Sequence, residues 1–155
     1  MKKEVRLAGA ALSGARHVCG FFHSKDEEYR VLLPFIREGF DEGDKAFHVV
    51  KEDHQPEHRR RLQGAGIAVE DAESQGQLEV CRWEDAYLRD GHFDQNRMLA
   101  LIEEILQSAK TDGYPLTRLV ANMEWALEDR PGVGDIVEYE TRLNYVLPKY
   151  DDAVC

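Results

Sequence analysis

HVCGFFHSKDEEYRVLLPFIREGFDEGDKAFHVV, residues 17–50, divides into an apolar run, a polar turn, an amphipathic segment, a glycine-marked turn and a second apolar run. That order is strand, turn, helix, turn, strand, the opening of an α/β unit. Val18–Phe22 reads as a buried first strand. Ser24 is placed to cap the helix that follows, with Glu27 three residues on at capping-box spacing. Tyr29, Leu32, Leu33, Ile36 and Phe40 form its apolar stripe, Pro34 falls within it, and Gly39 and Gly43 mark its end. In nucleotide-binding α/β folds the first turn is rich in glycine and ends in Lys and Ser/Thr. Here it is His23-Ser24-Lys25-Asp26-Glu27-Glu28, with three carboxylates where a phosphate needs N–H donors and a cation. A chain built this way is not expected to bind or hydrolyse ATP.

Working outward, residues 1–16 read as a lead-in with a short helix over Leu7–Leu12. Ala46–Val50 is the second strand, His54–Gly64 a polar helix and Ile67–Val69 a short third strand. The Gly76-Gln77 turn precedes a strand over Leu78–Trp83. A helix over Asp94–Lys110 presents Met98, Leu99, Ile102, Ile105, Leu106 and Ala109 on one face. Leu116–Met123 is another core strand, and Tyr139, Leu143 and Val146 mark a last helix after Pro131–Gly134. Strands alternating with helices predict a three-layer α/β domain over 1–155, with a mainly parallel sheet covered on both faces. Ala153–Cys155 reads as the start of a strand that goes no further, as in a truncated domain.

The 155 residues carry a formal net charge of -10, which disfavours direct nucleic-acid binding. The basic run His58-Arg59-Arg60-Arg61 reads as a solvated helix face or a protein-docking site. No apolar run approaches the roughly 18 residues of a membrane span, and no signal-peptide core follows Met1–Arg6. The three cysteines form no paired framework, so a cytoplasmic, reducing setting is expected.

His17 and Cys19 lie two apart on the predicted first strand, His23 at its carboxyl end and His48 on the second strand. Three readings stay open: a hydrogen-bonded buried His17 with an apolar Cys19, a ligand-sensing pair, or a zinc-type metal site. His54-Gln55-Pro56-Glu57-His58 departs from the metalloprotease pattern, since no Glu directly follows the first His. Glu124 and Trp125 fall at the end of the Leu116–Met123 strand, where they would line a pocket or begin a helix. Arg118 is a candidate partner for Glu140. Trp83, Tyr87 and Phe93 form an aromatic cluster, either core or cavity wall. No catalytic set, metal motif or cofactor fingerprint is visible.

An ordered series of short motifs then resembles the MEDS sensory domain family of methanogen and methylotroph regulators, which includes the dichloromethane-dehalogenase repressor. It comprises His17-Val18-Cys19 with Phe22, Arg37-Glu38-Gly39-Phe40 after Phe35, Gly43-Asp44, Gly64–Ile67, Gly76–Val80, Tyr87-Leu88 and Gly91–Phe93. Arg118, Met123–Ala126, Tyr139-Glu140 and Leu143-Asn144 complete it, so the likeness covers Ala15 to Cys155. The resemblance implies a RecA-like fold lacking a phosphate loop. It also implies a non-catalytic input module for small organic or C1-type ligands, acting through a regulatory protein or a fused output domain. The expected pocket lies at the strands' carboxyl ends near His23, His48, Trp83, Glu124 and Trp125, with His17 and Cys19 behind it. A homo-oligomer is expected through the unfinished sheet edge. A metal- or thiol-dependent enzyme using Cys19, and a pure protein-interaction module using His58–Arg61, are the alternatives.

Overall fold

The computed structural model describes residues 4–12 and 16–150, and the backbone of 153 and 154. Eleven regular elements appear among them, with short 3₁₀ turns between. They are β1 (Arg6–Leu7), β2 (Ala10–Ala11), α1 (Lys25–Asp41), β3 (Lys45–Val49), α2 (Gln55–Gly64), α3 (Val69–Ser74), β4 (Leu78–Cys81), α4 (Gln95–Thr111), β5 (Thr117–Ala121), α5 (Ile136–Val146) and β6 (Ala153–Val154).

The central sheet has the order β4-β3-β5-β6, and all its pairs are parallel. A separate antiparallel pair joins β1 to β2. Alternation along the strands feeds two apolar layers. Ala46, Leu78 and Leu116 pack with Phe35 and Ile36 of α1, Leu62 of α2, and Val69 and Ala72 of α3. Phe47, Val49 and Leu119 pack on the other layer with Met98, Leu99, Ile102 and Leu106 of α4 and Tyr139, Leu143 and Val146 of α5. Helices therefore cover both faces of the sheet.

The N-terminal capping expectation holds: Ser24 Oγ accepts from Glu27 N at 3.1 Å, while Glu27 Oε2 accepts from His23 N at 2.7 Å. Three expectations of secondary structure fail. Val18–Phe22 is not a strand; it is irregular chain with Val18 43% and Phe21 95% exposed. Both edges of β3 are already taken by β4 and β5, so this run cannot pair with the strand that follows it in sequence. Ile67–Val69 is not a strand either: Ile67 fills the α1 layer from a loop and Val69 begins α3. The lead-in helix is instead a hairpin, turned by Ala8 (φ 51) and Gly9 (φ 80), both left-handed as a two-residue turn requires.

At the amino end of the sheet, Arg118 of β5 is 2% exposed. Its Nε donates to Asp44 Oδ2 at 2.9 Å, and its Nη1 to Phe35 O at 2.7 Å and Glu38 Oε2 at 2.8 Å. The guanidinium also stacks on the Phe35 ring, 4.8 Å from its centroid. The predicted partner Glu140 lies elsewhere and pairs with His17. Gly39 sits inside α1 because a Cβ there would come within 2.7 Å of Arg118 Cδ. Gly132 has φ +85, and a Cβ there would meet Phe93 O at 2.1 Å.

Asp44→Ala should lower unfolding free energy by about 3 kcal/mol, the low end for breaking a buried pair, because Glu38 still faces Arg118. Asp41→Ala, which removes only an exposed pair with Arg37, should change it by less than about 0.5 kcal/mol. Urea denaturation of both variants tests the contrast, and equal losses would contradict it.

Candidate functional site

β3 is the first strand of the parallel sheet; β4 adds on one side of it and β5 on the other. The crevice outside the carboxyl ends of β3 and β5 is therefore a topological switch point, the usual ligand position in open α/β sheets. A cavity of about 90 Å³ occupies that place. Leu32 and Ile36 of α1, with Val49, Val50 and Val120, form its apolar wall. Tyr29, His58 and Asn122 are the polar groups within it, and Lys25, Glu28, His54 and Glu57 complete its lining.

A buried relay starts at this wall. The Tyr29 hydroxyl lies 2.7 Å from His58 Nδ1, and His58 Nε2 lies 2.8 Å from His48 Nδ1. Each imidazole can place one proton in this chain, so the direction in which Tyr29 points its hydrogen sets both tautomers. The far nitrogen, His48 Nε2, is buried and has no hydrogen-bond partner among the described residues. Burial holds both histidines neutral: His58 is lowered to about 4, and His48 well below its ordinary value, with the nearby His58 adding to the effect. Burial likewise pushes the Tyr29 hydroxyl up to about 12.

Ion pairs tie the entrance together. Lys25 Nζ lies 2.6 Å from Glu124 Oε1 and 2.9 Å from Glu28 Oε2. Burial opposes the charge of Lys25, but these bonds outweigh it and raise the ammonium pKa; Lys25 in turn lowers that of Glu124. Arg61 joins α2 to α1 through Asp26 at 2.7 Å and also binds Glu57 at 2.7 Å. The acidic first turn of α1 is thus engaged by cations of the same chain. Arg59 and Arg60 pair with Glu73 and Glu57, so the basic run is knit into its own fold.

The seven residues singled out from the sequence are dispersed. His48 lies behind the wall, bonded to His58, and Glu124 reaches the entrance through Lys25. His23 is exposed two residues before α1. Trp83 and Trp125 are buried in the opposite layer, Trp83 donating to Asn122 O at 3.1 Å and Trp125 packing on Tyr87 and Phe93. His17 and Cys19 lie against α5, where His17 Nε2 is 2.9 Å from Glu140 Oε2. Tyr29 was legible only as a core position, and His58 only as part of a charged run and of a rejected His54–His58 metal pattern. The signal for His58 was its spacing of four from Leu62, which puts both on the buried face of α2.

The neutral histidines set a pH dependence. In the unfolded chain they take up protons near pH 6.5, and in the fold only well below it, so unfolding absorbs protons between those limits. Stability should be full above pH 6.5 and fall as pH drops towards about 4. Each histidine contributes a slope of at most about 1.4 kcal/mol per pH unit. His48→Leu should shift the whole curve downward and remove one such contribution; urea titrations at pH 4.5, 5.5 and 6.5 read it, and parallel curves would refute it.

Among the described residues, no helix is long and apolar enough to cross a membrane. No solved structure matches the chain. The transcriptional repressor DcmR of Methylorubrum extorquens (strain DSM 6343 / CIP 106787 / DM4) is 26% identical over 144 residues, covering 93% of this chain and 51% of that protein. The chain thus spans about half the length of the curated relative it matches. The family model described as "MEthanogen/methylotroph, DcmR Sensory domain" matches residues 16–155. The chain belongs to the MEDS family of sensory domains.

Proposed function

We propose that this sensory domain binds a small organic molecule of C1 type in the cavity between α1, α2 and the carboxyl ends of β3 and β5. The observation that carries the reading is the size and lining of that cavity. A dry apolar cavity of about 150 Å³ accommodates benzene. One of about 90 Å³ is matched to a molecule of about three or four heavy atoms. Leu32, Ile36, Val50 and Val120 supply apolar contact, and the Tyr29–His58 end of the relay supplies one polar anchor.

Signalling follows from differential binding. A ligand that rotates the Tyr29 hydroxyl or displaces Lys25 alters contacts that hold α1 to α2 and to Glu124, and so favours one arrangement of these elements. The similarity to a transcriptional repressor supports transcription control as the output, through a regulatory protein, an attached output domain or a second copy of the chain. Exposed Phe21, Leu127, Val137 and Tyr145 offer apolar surface for such a receiver. The parallel sheet and the position of α1 also support a distant kinship with RecA-type cores without phosphate-binding chemistry. His48 and Glu124 support the site from behind its wall and at its entrance. No step in this reading requires catalysis.

Thermal denaturation in the presence of dichloromethane, formamide or chloroform tests the binding site. At a hundredfold excess over Kd, a ligand should raise Tm by about 5–10 °C. Leu32→Phe, which fills the cavity, should abolish that shift without lowering Tm in its absence. A shift that survives Leu32→Phe, or no shift with any compound of this size, would sink the assignment.

A further inference from the structure

On the opposite side of the domain, the chain before α1 carries His17 and Cys19 against the outer flank of α5. A ring nitrogen of His17, Cys19 Sγ and a Glu140 carboxylate oxygen all lie within 4.8 Å of one another, and Nε2 is the nitrogen that faces Glu140, 2.9 Å from Oε2. We propose that these three side chains form a zinc site with one coordination position open to solvent.

The spacing fits the ion. With Zn–N and Zn–O bonds of about 2.0–2.1 Å and Zn–S of about 2.3 Å, tetrahedral angles place the donor atoms about 3.3–3.6 Å apart. Nε2 and Oε2 are 2.9 Å apart, so they need only open by a few tenths of an ångström. The thiol closes in by little more than an ångström from its largest possible separation, on exposed chain free to make that adjustment.

The protons are arranged for it too. Asn144 Nδ2 donates to Glu140 O at 3.3 Å, which turns Asn144 Oδ1 towards the imidazole. That oxygen lies 3.0 Å from His17 Nδ1 and can only accept, so Nδ1 carries the hydrogen. Nε2 is then the nitrogen whose lone pair is available once its own proton leaves. An acceptor bonded to the remote nitrogen of a ligating histidine is the usual outer support of a zinc ligand. Without metal, Nε2 faces the Glu140 carboxylate through a proton; zinc takes the place of that proton. Imidazole, thiolate and carboxylate together balance the two positive charges of the ion, with release of the His17 and Cys19 protons.

The donor set selects the metal. A thiolate and an imidazole disfavour Mg²⁺ and Ca²⁺, which take oxygen ligands. Three protein ligands with an open fourth position are the pattern of zinc sites that bind water or an exogenous ligand, whereas structural sites are closed by four. Cys19 is exposed, which leaves that position reachable from solvent.

Zinc alone is the probe. The untagged chain, stripped with a chelator and titrated with Zn²⁺ against a chromophoric competitor, should bind one equivalent. Cys19→Ala and His17→Ala should each weaken binding at least 100-fold, and Asn144→Ala by 10- to 100-fold. Cys81→Ala, which removes a thiol outside the cluster, should leave affinity unchanged. Cobalt substitution should give a thiolate-to-metal charge-transfer band that vanishes in Cys19→Ala. Because Cys19 is exposed, far-UV dichroism should show that variant folded. Binding of no zinc, or one equivalent bound as tightly by Cys19→Ala as by the parent, would overturn the site.

Discussion

A single guanidinium sets the frame. Arg118 enters the sheet at the second residue of β5 and meets Asp44 at the turn into β3, Glu38 and Phe35 on α1, and the bare backbone of Gly39. It therefore joins the two central strands and the helix that covers them at one buried point. An ion pair in this position is a poor source of net stability, because desolvation consumes most of the Coulombic gain. Its value is directional. Any slip of α1 along the sheet would strand a buried charge, whereas the apolar contacts of Phe35 and Ile36 would tolerate a shift far better. The pair fixes the amino end of the sheet and leaves the carboxyl end, where the cavity lies, free of that constraint.

The polar groups at that carboxyl end obey the same rule of mutual satisfaction. Asp26, Glu27 and Glu28 would repel a phosphate, yet none is idle: Asp26 holds Arg61, Glu27 caps α1, and Glu28 holds Lys25. The lysine that a phosphate loop would use to meet its nucleotide is committed to Glu28 and Glu124. A helix start that serves anion binding elsewhere serves here as a clasp between α1, α2 and the end of β5.

Periodicity carried much of the fold into the sequence. The stripes of α1 and α4, the cap Ser24, and the apolar strands β3 and β5 could all be read from local pattern. Val18–Phe22 could not, because a short continuous apolar run is compatible with a buried strand and with exposed chain alike. What separates them is which strand edges the rest of the chain has already paired, a property of the assembled fold. The cavity shows the same limit. Tyr29, Leu32 and Ile36 were visible as one helix face, but a face that lines a void and a face that fills a core have the same spacing. His58 was masked by the three arginines after it, whose charge outweighed the four-residue step to Leu62. His17 was read as an imidazole in need of a partner; in the fold it faces Glu140, 123 positions away, and no local signal joins the two.

The two proposed sites share one connection. Cys19 and Lys25 are six residues apart, the first against α5 and the second at the mouth of the cavity. An ion that fastens His17 and Cys19 to α5 would shorten the free chain leading into α1 and so restrict where Ser24 and Lys25 can sit. A ligand in the cavity that moves Lys25 would pull on the same chain from its other end. Equilibrium coupling between two sites is reciprocal, so whatever factor the metal imposes on ligand affinity the ligand must impose on metal affinity. The exposed stretch Val18–Phe22, which contributes little to the core, then has a physical role as the tether through which the α5 face and the α1 face of the sheet influence each other.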